Sequence, residues 1–110
     1  KKISAARFLP QRKWIRTSTR FNFYMKIFLH KNFAKKYTKL LRSEKIRFKE
    51  RRNLFLEDPY NPLLNNHALT GKYTGSRSIN MTGNLRVIYD IINKDSVLFI
   101  DIDTHSNLYK

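Results

Sequence analysis

The side chains able to do chemistry in this chain are few, and two of them are histidines. His67 and His105 can each accept or donate a proton near neutral pH, because unperturbed imidazole has a pKa of about 6.5. Arg86 carries a planar, permanently charged guanidinium that can hold a phosphate and stabilise charge developing on it. Taken alone, a loop histidine is more often a solvated side chain, and a strand arginine a surface residue. These residues therefore need support from the rest of the sequence.

Several kinds of chemistry are excluded by what the sequence lacks. The chain has no cysteine, which rules out disulfides, thiol nucleophiles and the usual zinc frameworks. It also has no Gly-rich phosphate loop and no carboxylate pair placed as in glycosidases. We therefore expect neither a metal nor another cofactor.

The charge balance is the first positive indication of a partner. The 110 residues include 23 basic and 8 acidic side chains, a net charge of +15 at pH 7. A domain this small repels itself at such a charge, so a polyanionic partner is expected. Nucleic acid is the leading candidate, followed by an acidic protein or an anionic membrane surface. Apolar runs such as residues 97–100 are far shorter than the roughly 20 residues that span a bilayer, so no membrane segment is expected.

Almost half of the excess charge lies in the first 24 residues, which hold seven basic side chains and no acidic one. This stretch has no clear periodicity, and its composition would also suit a targeting peptide. We interpret residues 1–24 as a basic extension, either disordered or not native, in front of a domain over residues 25–110. The alternative is a basic arm that adds phosphate contacts.

After residue 24 the pattern predicts one strand and two helices. Residues 24–30 are rich in β-forming side chains. From residue 32 the apolar positions recur at helical spacing and define one buried face: Phe33, Ala34, Tyr37, Leu40 and Leu41. Ser43 is expected to cap a second helix with Glu44 in its first turn. This helix should stop before Asp58, because Pro59 disfavours helix at the residue preceding it.

The last third of the sequence predicts three strands, over approximately residues 75–82, 85–92 and 96–103, joined by short hairpin connections. In the second of them, Leu85, Val87 and Tyr89 point one way, and Arg86 and Ile88 the other. The order β-α-α-β-β-β predicts an α+β fold. A two-helix hairpin should pack on one face of a mainly antiparallel sheet that ends in a three-stranded meander.

Three motifs, in this order, resemble a known family. They are HALTGKYTGSRSIN at 67–80, GNLRVIY at 83–89 and THSNLY at 104–109. With MKIF at 25–28 and the basic helix at 31–42, they resemble the YafQ-like branch of the RelE/ParE toxin superfamily. The resemblance covers residues 25–110 and implies the RelE-like fold.

The resemblance also implies a function. The chain would be the cytoplasmic toxin of a type II toxin–antitoxin system, a ribosome-dependent endoribonuclease. It would cut mRNA by metal-independent attack of the 2′-hydroxyl on the phosphate. Its partners would be an acidic cognate antitoxin, ribosomal RNA and mRNA, with operator DNA bound only through the antitoxin complex.

The family's catalytic positions fall on four residues of this sequence. His67 and His105 stand where the resemblance places the general base and the general acid, and which is which stays open. Arg86 stands at the position of the arginine that stabilises the phosphate. Tyr109 stands at the C-terminal aromatic position, where its ring would stack on an mRNA base or merely pack the chain end onto the sheet. His30 matches no motif and is expected to be structural or exposed.

Three residues depart from the family pattern. Asn80 stands where the branch's namesake has a catalytic histidine, and Asn84 where it has an aspartate. Both amides can bind RNA by hydrogen bonds, but neither can act as a base at neutral pH. Asp103 replaces a glycine and would put a negative charge beside His105. We therefore expect a slower enzyme, or one that depends more on the ribosome for positioning, and the alternative is lost activity.

Basic residues near these positions are expected to bind RNA. Lys72 and Arg77 flank the predicted site and are expected to contact the substrate strand. Lys45, Lys49 and Arg52 form a basic face on the second helix that would dock on ribosomal RNA. Such a face is otherwise simply a solvated helix surface.

Two other functions remain as alternatives. The chain could be a non-enzymatic member of the superfamily, either a ParE-like toxin that binds DNA gyrase or a decayed toxin that only binds its antitoxin. His67 and His105 argue against this, because a gyrase binder needs no pair of proton-transfer groups. The chain could also be a small basic ribosomal or DNA-binding protein, which would not require the motifs around Gly71 and Gly75.

Overall fold

Residues 16–18 and 23–109 are described by the computed structural model of the protein, with side chains described for residues 25–109. Within these ranges the strands are β1 (Arg16–Ser18), β2 (Phe23–Tyr24), β3 (Lys26–Leu29), β4 (His67–Ala68), β5 (Arg77–Asn80), β6 (Leu85–Asn93) and β7 (Ser96–Thr104). The α-helices found there are α1 (Lys31–Tyr37), α2 (Arg42–Glu57) and α3 (His105–Leu108). Most of the extension proposed for residues 1–24 lies outside the described residues. Its described strands, β1 and β2, form an antiparallel pair.

The main sheet has five strands in the order β3-β7-β6-β5-β4. Strands β5, β6 and β7 form the expected antiparallel meander. Strand β3 lies parallel to β7, because the two helices that follow β3 carry the chain back across the sheet. The α+β fold is therefore confirmed, with one parallel pair in a mainly antiparallel sheet. The short strand β4, expected as loop, pairs with β5 and places His67 opposite Ser78.

Both predicted helices are present, with two corrections. Helix α1 ends at Tyr37, short of the expected end at residue 42, because Lys39 and Leu40 donate to the carbonyls three residues back and turn the chain. We expected Ser43 to cap the second helix, but α2 begins at Arg42 and its cap residue is Leu41. The Glu44 carboxylate accepts a hydrogen bond from the Leu41 backbone N–H at 2.9 Å. This bond from the side chain back to the cap residue defines the start of α2. This also exposes Leu41, which we expected on the buried face of the first helix. Helix α2 ends at Glu57, as predicted from Pro59.

The core lies between the helices and one face of the sheet. It is largely aromatic: Phe33, Phe48, Phe55, Tyr89 and Phe99 are all at most 4% exposed. Their rings meet at centroid distances from 5.1 to 6.1 Å, in tilted or edge-on orientations. Burying each apolar side chain of this size contributes roughly 1.5–3 kcal/mol. This core fixes the sheet that carries the candidate site.

The opposite face of the sheet carries a second, smaller apolar cluster. Leu69, Ile88 and Leu108 are buried in it, and Tyr73 and Ile100 pack against it. Leu108 thereby anchors the short helix α3 on the sheet, and Leu69 anchors the segment after β4. The rest of this face stays open as a cleft. In the described part of the chain, none of the helices has the length and apolar character needed to cross a membrane.

Candidate active site

A cleft of about 410 Å³ lies on the sheet face opposite the core. Its walls include four residues predicted to be catalytic, from three different elements and the chain end: His67, Arg86, His105 and Tyr109. His67 comes from β4, Arg86 from β6, and His105 and Tyr109 from α3 and the residue after it. Residues distant in sequence therefore meet in one concave surface.

His67 is held in one tautomer by its neighbour. Its Nδ1 lies 2.7 Å from the backbone oxygen of Asn65, and a carbonyl can only accept a hydrogen bond. Nδ1 must therefore carry the proton, and the neutral ring keeps a lone pair at Nε2. Asn65 reaches this position through a left-handed backbone conformation, with φ of 46°. The arrangement suits a group that accepts a proton.

His105 is the first residue of α3, and its backbone is fixed from two sides. Its N–H donates to the Asn84 carbonyl at 3.0 Å, which ties α3 to the β5–β6 turn. The Thr104 hydroxyl accepts the Asn107 N–H at 3.2 Å and caps the helix. The imidazole packs on the Tyr109 ring, with 4.8 Å between centroids. Tyr109 in turn meets Tyr73 edge-on at 5.9 Å, so its ring is held at the wall of the cleft.

Arg86 lies half-buried in the cleft, at the start of β6. Its Nη1 donates to the backbone oxygens of Gly83 and Thr82, at 3.1 and 3.4 Å. Among the described residues, no carboxylate forms an ion pair with it, and Nε and Nη2 have no hydrogen-bond partner. The turn thus holds the guanidinium through Nη1, while Nε and Nη2 stay available to bind an anion.

Asp103, the departure that we expected to disturb His105, is bound elsewhere. Its carboxylate accepts hydrogen bonds from Lys36 Nζ at 3.1 Å, Asn107 Nδ2 at 2.9 Å and the Thr104 N–H at 2.8 Å. Burial works to raise the pKa of Asp103, but these hydrogen bonds outweigh it and leave the pKa below its ordinary value. Lys36 also pairs with Asp101 at 2.9 Å. The negative charge beside His105 is therefore compensated by a lysine from α1.

The two asparagines that replace family residues differ in surroundings. Asn80 lies opposite Arg86 in the sheet, and its Oδ1 is buried with no hydrogen-bond partner among the described residues. Asn84 is exposed in the β5–β6 turn and holds His105 through its backbone carbonyl. Neither lines the cleft itself.

The predicted RNA-binding bases do not converge on the cleft. Lys72 is exposed near it, with Nζ 5.3 Å from the Tyr73 ring. Arg77 shares the strand face of Ile79, on the core side, and donates from Nε to Asn66 Oδ1 at 2.7 Å. His30 is structural, as expected, because its Nδ1 accepts the Asn32 N–H at 3.0 Å and caps α1.

The basic face of α2 lies on the helical side of the sheet, away from the cleft. Lys45 Nζ is 5.6 Å from the Tyr37 ring, and Lys49 is exposed. Burial of Arg52 lowers the pKa of its guanidinium, which the nearby Tyr37 works to raise. Two of these three bases therefore also take part in packing α2 beside α1.

Solved structures with this architecture include toxins. No protein-family model and no curated sequence matches the chain. It superposes on Escherichia coli YafQ, solved in the DinJ–YafQ toxin–antitoxin complex, with a TM-score of 0.61, 19% identity and coverage of 78% of this chain and 98% of that chain. It superposes on the YoeB/ParE toxin from Agrobacterium tumefaciens with a TM-score of 0.63 and 16% identity, covering 74% of this chain and 99% of that chain. On the archaeal RelE–RelB complex from Pyrococcus horikoshii the TM-score is 0.59 and the identity 24%, with coverage of 73% of this chain and 93% of that chain.

The chain has the RelE/ParE toxin fold. At these identities the likeness establishes the architecture, and the chemistry depends on the residues of the cleft. Within the RelE/ParE fold, the meander supplies Arg86, β4 supplies His67, and α3 closes the site with His105.

Sequence reasoning missed one residue of the cleft and one that supports its surroundings. Ser78 is buried and lines the cleft, opposite His67. The alternation along β5 could have found it, since it lies two residues before Asn80 on the same strand face. Lys36 of α1 lies outside the cleft, and no local pattern indicates its bonds to Asp101 and Asp103, which are about 65 residues further along the chain.

Proposed function

We propose that the chain is the toxin of a type II toxin–antitoxin system and acts as a ribosome-dependent endoribonuclease on mRNA. The observation that carries this proposal is the meeting of His67, Arg86, His105 and Tyr109 in one cleft. Metal-independent RNA cleavage requires two proton transfers and a fixed cation for the phosphate, and an aromatic ring can in addition hold a base by stacking.

In the proposed reaction His67 is the base. Its Nε2 takes the proton of the ribose 2′-hydroxyl, the 2′-oxygen attacks the adjacent phosphorus, and the bond from phosphorus to the 5′-oxygen breaks. Protonated His105 gives its proton to the departing 5′-oxygen. The products are a 2′,3′-cyclic phosphate and a 5′-hydroxyl. The fixed Nδ1–H of His67 favours this assignment over the reverse one.

Arg86 and Tyr109 supply the remaining interactions. Nε and Nη2 of Arg86 donate to the phosphate oxygens, on which negative charge builds up in the transition state. Tyr109 is 38% exposed, so its ring has a free face on which an unpaired mRNA base stacks. Asn80 and Asn84 contribute hydrogen bonds at most.

The partners follow from charge and from the similar structures. A net charge of +15 suits ribosomal RNA and mRNA, and also an acidic antitoxin. YafQ was solved in a toxin–antitoxin complex with DinJ, and we propose a corresponding antitoxin for this chain. Lys45, Lys49 and Arg52 lie on the helical side and would dock on ribosomal RNA while the cleft faces mRNA.

The test is controlled expression of the chain in a bacterium, with mRNA 5′ ends mapped before and after induction. His67→Ala and His105→Ala are compared with Arg47→Ala, which removes a surface charge paired with Glu50. We expect in-frame cuts with the wild type and Arg47→Ala, and none with either histidine variant. Growth arrest without cuts would contradict the ribonuclease and indicate gyrase or another target. Soluble protein with neither effect would contradict the toxin role.

A further inference from the structure

The loop in front of His67 is held by a hydrogen-bonded group on the core side of the sheet. At its centre is Asn66, whose amide uses both donors and one acceptor position: Nδ2 donates to the Pro59 carbonyl and to the Tyr89 hydroxyl, both at 2.8 Å, and Oδ1 accepts Arg77 Nε at 2.7 Å. An amide with every donor and an acceptor engaged has one orientation. Asn66 is therefore held in place between two residues of the site: Asn65, whose carbonyl binds the His67 imidazole, and His67 itself.

Two of the partners of Asn66 make further contacts of their own. Tyr89 is 2% exposed in the aromatic core. Its burial raises the pKa of the phenol, so the hydroxyl stays protonated at neutral pH. Arg77 lies in β5 opposite Tyr89, and its guanidinium stacks on the Tyr60 ring at 5.4 Å. The group thus ties the loop to both the core and the sheet.

We propose that Asn66 and Arg77 are positioning residues for His67, which fix the Asn65 carbonyl and so keep the imidazole proton on Nδ1. This rests on the proposed function, because it assigns His67 the role of base. It replaces the expectation that Arg77 binds the substrate strand, since the Arg77 donor is directed at Asn66 on the face away from the cleft.

The geometry explains how the effect reaches the reacting atom. Asn65 is the only non-glycine residue with positive φ in the described part of the chain, a conformation that needs support from its neighbours. Its N–H donates to the Pro62 carbonyl at 3.1 Å on one side, and the Asn66 amide holds the other. When the Asn66 side chain is released, the Asn65 carbonyl can rotate away. The His67 ring can then turn and carry its proton on Nε2, where the base must have its lone pair.

Two substitutions of Arg77 separate positioning from RNA binding. In Arg77→Gln the side-chain nitrogen stands at the same bond distance from the backbone as Nε, so it keeps the donor to Asn66 and removes the charge. Arg77→Met has similar length but neither donor nor charge. Asn66→Ala removes all three hydrogen bonds, and Arg47→Met is the control for loss of a surface charge.

The first readout is cleavage of mRNA on programmed ribosomes by the purified full chain in single turnover. The second is the His67 tautomer, measured by long-range ¹H–¹⁵N NMR at a pH where the ring is neutral. We expect Arg77→Met and Asn66→Ala to lose about 10- to 100-fold in cleavage rate and to show mixed tautomers. Arg77→Gln should cleave at least about tenfold faster than Arg77→Met and keep the Nδ1–H tautomer.

The outcomes that overturn the proposal are distinct from failure of the proposed function. Equal loss of cleavage in Arg77→Gln and Arg77→Met, with an unchanged tautomer, would make Arg77 a cation for RNA. An unchanged His67 tautomer in Asn66→Ala, in a variant with native core NMR shifts, would refute positioning. If the wild type cleaves no RNA, the ribonuclease proposal fails, while the tautomer measurement still decides whether Asn66 and Arg77 hold His67.

Discussion

Substitution of Lys36 by methionine tests the clamp between α1 and the end of β7. Met keeps most of the aliphatic stem and removes the ammonium, which lies 2.9 Å from Asp101 Oδ1 and 3.1 Å from Asp103 Oδ2. The side chains of Lys36, Asp101 and Asp103 are 36%, 15% and 25% exposed, so this group is neither a surface pair nor a buried one. Exposed pairs contribute about 0–1 kcal/mol, and breaking buried ones costs about 3–5 kcal/mol. We expect a loss of about 1–2 kcal/mol of unfolding free energy at neutral pH.

The pH dependence identifies the cause of this loss. Hydrogen bonds leave the pKa of Asp103 below its ordinary value despite burial. Its contribution is therefore complete above the unfolded carboxyl pKa of about 3.9 and is lost as pH falls through the folded pKa. Desolvation works to lower the pKa of Lys36, but hydrogen bonds to Asp101 and Asp103 outweigh it and raise the pKa. The contribution of Lys36 to stability is therefore present below about pH 10.4 and is lost as pH rises through the folded pKa. The wild type and Lys36→Met should thus differ at neutral pH and converge in acid.

Urea unfolding followed by circular dichroism measures both quantities, at neutral pH and at steps down to about pH 2, to pass through the lowered pKa of Asp103. Lys35→Met is the matched control, since Lys35 is exposed on the same helix and forms no salt bridge among the described residues. We expect its unfolding free energy to stay within about 0.5 kcal/mol of wild type. If Lys36→Met loses the same free energy in acid as at neutral pH, the stem and not the charge stabilises this contact, and the reasoning is refuted.

Two further predictions concern the cleft. Arg86→Lys should reduce the cleavage rate on programmed ribosomes by about 10- to 100-fold with the unfolding free energy little changed, because a point charge cannot replace the guanidinium fork; wild-type cleavage would show that charge alone suffices. Tyr109→Ala should weaken mRNA cleavage by about 10- to 100-fold through loss of one stacked base, while Tyr109→Phe, which keeps the ring, should retain most of it. Equal activity of the two Tyr109 variants would contradict stacking.

The fold was predictable where the chain's own periodicity determines it. Alternation along β6 predicted that Val87 and Arg86 lie on opposite faces of the sheet, and this is confirmed, with Val87 in the core and Arg86 in the cleft. The predicted start of α2 was wrong. Serine is a favourable N-cap residue, so Ser43 was chosen, but Glu44 accepts a hydrogen bond from the Leu41 N–H from within the helix. Local propensity cannot decide between two such alternatives.

The four residues that meet in the cleft could be named from the sequence, but the hydrogen bonds that hold them could not. The motifs named His67, Arg86, His105 and Tyr109, and these line one cleft. The hydrogen bonds that hold them come from residues far away in the sequence or from backbone carbonyls. Lys36 reaches Asp103 across the fold, and Arg77 turns to the core side to bind Asn66. Such partners depend on tertiary packing, which no single-sequence pattern records.

The central claim is that the cleft cleaves RNA through its two histidines. The most direct measurement incubates the purified full chain with ribosomes programmed with a defined mRNA and analyses the ends of the products. We predict cuts that leave a 2′,3′-cyclic phosphate and a 5′-hydroxyl, and none with the His67→Ala/His105→Ala double variant. Cuts with other end groups, or equal cleavage by the double variant, would contradict the account.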